Sequence, residues 1–81
     1  MSWFVYALYN QESKKIYIGQ TNNIGRRLLE HNQKKGNHFT AKVLGEWKLV
    51  YKEEFEIREE AIRREKQLKS FRGREFLKNL I

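Results

Sequence analysis

The chain opens on an unbroken apolar and aromatic run, Trp3-Phe4-Val5-Tyr6-Ala7-Leu8-Tyr9, rich in residues that fit a pleated strand. Asn10 to Lys15 is polar and turn-like. A second run, Ile16-Tyr17-Ile18-Gly19-Gln20, follows it, so the two runs predict a β-hairpin. Thr21, Asn22 and Asn23 are all suitable N-caps for a helix from about Ile24 to about Gln33. Lys34 and Lys35 suit the C-terminus of that helix, and Gly36 suits its end. Residues 37–45 show no period and read as irregular. Trp47 to Phe55 predicts a third strand, with Trp47, Leu49 and Tyr51 on one face. Arg58 to Ser70 has helical spacing, and a short last helix holds Phe76, Leu77 and Leu80. The predicted order is β-β-α-β-α-α. This is an α+β fold in which helices flank a small three-stranded antiparallel sheet.

Length confines that pattern to one domain over residues 1–81. A chain this short buries only about 60–65% of its unfolded surface, so most apolar positions are needed for the core. Cysteine is absent, which excludes a disulfide framework and a thiolate zinc site. The longest apolar run is far too short to span a membrane and lacks the basic start and cleavage site of a signal peptide. The expected compartment is therefore the cytoplasm, with no membrane partner.

Charge narrows the function classes. The net charge is +7, from 17 Lys+Arg against 10 acids, and every acid is a glutamate. Such a surplus on a small body points to an anionic partner, most often nucleic acid. It is concentrated in residues 21–45 and 57–81, each at a net +4, on either side of an acidic block at 46–56. The basic residues are interleaved with periodic apolar ones, so they belong to folded helices and not to a disordered arm. The two basic groups are expected to flank one cleft.

Three polar features fall on faces that should be apolar. At 100° per residue, Arg27 and His31 lie one turn apart at the edge of the stripe formed by Ile24 and Leu28. Read blandly, Arg27 snorkels and His31 is a satisfied, semi-buried histidine. In the later helix Glu65 falls on the face of Ile57, Ala61 and Leu68, where a carboxylate needs a cation, a donor or a metal. A structural ion pair between Glu65 and Arg27 is the bland account. In the hairpin, a register with Leu8 opposite Tyr17 sets Tyr6 opposite Gly19 and makes the two tyrosines diagonal neighbours. Gly19 then leaves open space beside the Tyr6 phenol.

Together these residues resemble the GIY-YIG endonuclease superfamily. Tyr17-Ile18-Gly19 matches the second half of its name motif. Phe4-Val5-Tyr6 stands for the first half, keeping the tyrosine and replacing the glycine and isoleucine. Arg27 and His31 match the arginine helix, in Gly25-Arg26-Arg27-Leu28-Leu29-Glu30-His31-Asn32. Glu65, in Arg63-Arg64-Glu65-Lys66, matches the metal-binding glutamate. The resemblance covers nearly the whole chain and is closest to the small stand-alone bacterial members. It implies a metal-dependent endonuclease that hydrolyses DNA phosphodiester bonds, with Tyr6, Tyr17, Arg27, His31 and Glu65 as catalytic residues.

One carboxylate plus waters is an Mg²⁺-like site, with Mn²⁺ as a substitute, so a single ion on Glu65 is expected. Arg27 would fork onto the scissile phosphate. The base is Tyr6 or Tyr17, as phenolate or through a hydrogen-bond relay assisted by His31, or else His31 itself. Gly19, Arg26, Lys34, Lys35 and Lys42 form one expected nucleic-acid contact group. Lys66, Lys69, Arg72, Arg74 and Lys78 form another. The implied partner is DNA, branched and damaged forms included, with RNA left open and a protein partner as one route to specificity. Two competing readings are a non-catalytic nucleic-acid-binding module that keeps the fold, and a small adaptor whose polar set is a buried ion-pair network.

Overall fold

A computed structural model describes residues 2–33 and 42–81. Its elements follow the predicted order: β1 Trp3–Asn10, β2 Lys15–Thr21, α1 Ile24–Asn32, β3 Trp47–Phe55, α2 Arg58–Leu68 and α3 Phe71–Lys78. The three strands form one antiparallel sheet in the order β2-β1-β3. Leu8 faces Tyr17 and Tyr6 faces Gly19, the register that makes the two tyrosines diagonal neighbours. Among the described residues no helix is long and apolar enough to cross a membrane. Lys34, Lys35, the Gly36 helix stop and part of the irregular 37–45 segment lie outside the described residues.

Strand β1 is central, and its alternation divides the core in two. Val5 and Ala7 point to one face, where they meet Ile18, Ala61 of α2, Leu68 at its end and Leu77 of α3. Tyr6 and Leu8 point to the other, where they meet Trp47, Tyr17 and the α1 residues Ile24 and Leu28. The sheet thus lies between α1 and the α2–α3 pair. Of the two basic groups expected to flank one cleft, Arg26 is on α1 while Lys66, Arg72, Arg74 and Lys78 are on α2 and α3, across the sheet from it.

Local chemistry explains where the helices begin and end. Asn23 is the N-cap of α1, its Oδ1 accepting from the Arg26 amide at 3.0 Å. At the other end, the Asn32 side chain accepts from the Trp47 amide at 2.7 Å and donates to the Trp47 carbonyl at 2.9 Å. This pair fixes α1 against the start of β3. Helix α2 stops at Leu68, two residues short of the expected Ser70. Ser70 instead caps α3, its Oγ accepting from the Gly73 amide at 3.2 Å. A Cβ at Gly73 would collide with the backbone of Gln67 and Leu68, so only glycine lets α3 fold back on the end of α2.

Two further expectations are corrected. Tyr51 does not share a face with Trp47 and Leu49. Leu8 pairs with Leu49 and Ala7 with Tyr51, so Val50 is an extra residue in β3. This β-bulge turns Tyr51 to the α2–α3 face while Trp47 and Leu49 stay on the α1 face. Ile57 does not continue the buried stripe of α2. It precedes the first turn as the N-cap residue and is 52% exposed.

Candidate active site

Beneath α1, the core of the sheet is polar where the opposite face is apolar. Tyr6 and His31 are both only 2% exposed. The Tyr6 hydroxyl lies 3.0 Å from Nε2 of His31, a buried contact between residues 25 positions apart. Tyr17 closes the group, its ring 4.9 Å from that of His31 and 6.2 Å from that of Tyr6. Gly19 is what permits this packing. A Cβ there would come within 2.8 Å of the Tyr6 hydroxyl and 3.1 Å of the Tyr17 ring. The space beside Gly19 is therefore not open, as expected from the sequence, but filled by the phenol. Gly19 itself is buried.

Arg27 stands one turn before His31 on α1, at the rim of this group. Its Nη1 donates to Glu30 at 3.1 Å. Burial pulls the guanidinium toward losing its proton, but contact with Tyr6 and Glu30 outweighs this and holds it above its ordinary range. Arg27 therefore stays cationic. Tyr6 is governed by the opposite balance. Burial pushes its phenol up to about 12, and the pull of Arg27 toward the phenolate does not compensate. The Tyr17 and Glu65 charges raise it further. At neutral pH the Tyr6 hydroxyl keeps its proton.

Glu65 is on α2, which packs on the β1–β2 side of the sheet. It sits between the buried Ala61 and Leu68, with a side chain 20% exposed, as its helical phase predicts. It does not pair with Arg27. Its Oε2 accepts from Lys69 Nζ at 2.8 Å, one turn on, and Arg27 is engaged by Glu30. Among the described residues, no three His or carboxylate side chains converge as a multidentate metal cage. A single half-buried carboxylate with an open side fits a hard ion that keeps most of its water, which is the coordination habit of Mg²⁺.

The remaining expected nucleic-acid contacts scatter. Arg26, Lys42, Lys66 and Arg72 are exposed on separate elements. Lys69, Arg74 and Lys78 converge on one cavity, where Lys14 and Lys15 of the hairpin turn join them. Lys34 and Lys35 lie outside the described residues. Sequence reasoning passed over four residues here. Glu30, three positions after Arg27, could have been found from helical spacing. Lys52 stands directly across from Tyr6 in the β1–β3 register, exposed at the rim of the same face, but the bulge hides that pairing from a period-2 count. Lys14 and Lys15 have no sequence signal beyond a basic turn.

Residues 2–79 match the family described as the GIY-YIG catalytic domain. A UPF0213 protein of Staphylococcus haemolyticus is 36% identical over 75 residues, covering 93% of this chain and 89% of the relative. A UPF0213 protein of Desulfotalea psychrophila is 40% identical over 81 aligned residues, covering 95% and 72%. The solution structure of a UPF0213 protein from Bacillus halodurans superposes with a TM-score of 0.57 at 34% identity, covering 99% of this chain and 85% of that one.

Proposed function

This chain belongs to the GIY-YIG catalytic-domain family, a nuclease-type domain, and from that premise we propose that it is a metal-dependent endonuclease hydrolysing phosphodiester bonds in DNA. The observation that carries the reading is the buried Tyr6–His31 contact, flanked by Tyr17 and rimmed by a cationic Arg27. A buried phenol–imidazole pair beside a guanidinium contributes little to packing that Phe and Leu would not supply better. It is well suited to moving a proton beside an anion.

Each residue has a definite task. Arg27 forks onto the scissile phosphate and stabilises the charge that builds on its oxygens, while Glu30 fixes the guanidinium in place. Tyr6 does not act as a free phenolate, because burial holds its proton. Its hydroxyl acts as a relay. The oxygen accepts a proton from the attacking water while the hydroxyl proton passes to Nε2 of His31. His31 takes it in the neutral form with hydrogen on Nδ1. Tyr17 packs on His31 and holds the imidazole against Tyr6. Glu65 would hold a single Mg²⁺ or Mn²⁺ ion, with Lys69 yielding its place. Such an ion, when bound, supplies Lewis-acid stabilisation of the phosphate and of the leaving oxygen.

The test is nicking of supercoiled plasmid and of branched DNA with Mg²⁺ or Mn²⁺. Wild-type protein should nick, chelation should stop it, and Arg27→Ala and Glu65→Ala should not nick. Undiminished cleavage by purified Glu65→Ala protein would overturn the reading. Metal-independent DNA binding without turnover would establish a binding module instead.

A further inference from the structure

A cavity of about 490 Å³ lies beside β2, lined by Lys14, Lys15, Lys69, Arg74 and Lys78 together with Ile16 to Ile18. Its five cations come from three separate parts of the chain: the hairpin turn, the end of α2, and α3. No acidic residue is among the described residues that line it. Lys69 pairs with Glu65 at 2.8 Å and Lys78 with Glu75 at 3.9 Å, both carboxylates just outside the lining, and Arg74 donates to the Lys69 carbonyl at 3.2 Å. Holding this many like charges around one cavity is costly without an anion to offset them.

The shape of the cluster favours a polyanion over a single small anion. Lys15 is at the turn end of β2, and Gly19, under the Tyr6 hydroxyl, is four residues further along it. That run covers roughly 13 Å at about 3.3 Å per residue. Phosphates of one duplex DNA strand recur about every 3.4 Å of helix axis and are farther apart along the backbone itself, so the run is long enough to meet more than one of them. Lys69 touches Glu65, so the cavity begins at the candidate metal ligand and leads away from it. Tyr17 lines the cavity and also packs on His31.

We propose that this cavity is a trench that binds the phosphodiester backbone of DNA beside the cleavage point, with Lys14 and Lys15 of the hairpin turn gripping the phosphates farthest from it. The trench rests on the nuclease reading only for which part of the DNA it holds. Its binding role stands apart from turnover.

The experiment measures binding of a fluorescein-labelled DNA duplex by anisotropy, in chelator and across a salt series. The variants are Lys14→Asn/Lys15→Gln, Lys14→Arg/Lys15→Arg and Lys48→Gln. Asparagine suits position 14, where φ is 57°. Lys48 is a control on β3, the opposite edge strand. The neutral double variant should lose on the order of tenfold in affinity, and its log–log salt slope should fall by roughly 1.8, two phosphates at about 0.9 each. The arginine pair and Lys48→Gln should bind like wild type. Wild-type affinity and slope in the neutral double variant would overturn the trench, as would an equal loss in Lys48→Gln. The same proteins are then given bis(p-nitrophenyl) phosphate, a diester too small to span the trench. If no form, wild type included, turns over DNA or diester, the nuclease reading fails, while the anisotropy result still decides the trench.

Discussion

The two faces of the sheet are built from one strand to opposite ends. On the α2–α3 face β1 presents Val5 and Ala7 to Ala61, Leu68 and Leu77, all apolar and almost fully buried. On the α1 face the same strand presents Tyr6 and Leu8, and the partner beside Tyr6 is a buried histidine rather than a leucine. Burying each large apolar side chain on the first face contributes roughly 1.5–3 kcal/mol. The second face spends part of its interior on groups that require partners. One face holds the fold, and the other is held so that it can do chemistry. Alternation along β1 makes this division possible, because one strand can serve both purposes without a compromise at any single position.

The largest expected effect separates the faces by activity. Arg27→Ala should lower nicking by about 10³-fold, about 4 kcal/mol of barrier, with a small change in melting temperature because the side chain sits at the rim. Next comes the opposite face. Leu68→Ala should cost about 3 kcal/mol of stability in a urea titration, yet leave nicking per folded molecule unchanged well below the transition. An Arg27→Ala protein that unfolds, or a Leu68→Ala protein that folds but cannot nick, would erase the distinction.

Alkaline pH sharpens it further. The fold raises the Tyr6 phenol to about 12, so it favours the protonated form. That contribution is complete below about pH 10, where the unfolded chain also keeps the proton. It is lost as pH rises from 10 through about 12, on the order of 2–3 kcal/mol in all. Melting temperatures should fall across that window. Tyr6→Phe should flatten the fall and remove the last-rising absorbance at 295 nm. An unchanged alkaline profile in Tyr6→Phe would mean that the phenol is not held protonated by burial. The smallest effect concerns Lys69. Lys69→Met should tighten Mn²⁺ binding up to about fivefold, the range of a partly exposed ion pair, as read by calorimetry without DNA.

Much of this was legible in the sequence, for reasons tied to particular residues. The hairpin was legible and its register conditional: Leu8 opposite Tyr17 sets Tyr6 and Tyr17 on one face, a one-residue slip would separate them, and the fold takes the first. Helical phase found Glu65 between Ala61 and Leu68, and Arg27 beside His31. The Val50 bulge was invisible, because one extra residue leaves no mark in an alternating run and only the partner strand shows it. The Ser70 break was also hidden, since it depends on Gly73 meeting the backbone of Leu68 in space. The sequence leaves open whether Tyr6 acts as a phenolate or as a relay. Arg27 does favour the phenolate, but the extent of burial, which decides the balance, is a property of the assembled core. The lysine pair of the hairpin turn gained meaning only when folding brought it to α3.

The central claim is that the chemical face and the Glu65 carboxylate meet at one place. Paramagnetic broadening of the amide spectrum by a trace of Mn²⁺ tests it most directly. Broadening should centre on Glu65, extend to the amides around Gly19 and Tyr6, and disappear in Glu65→Gln. Broadening centred on Glu53 and Glu60, or unchanged in Glu65→Gln, would contradict it.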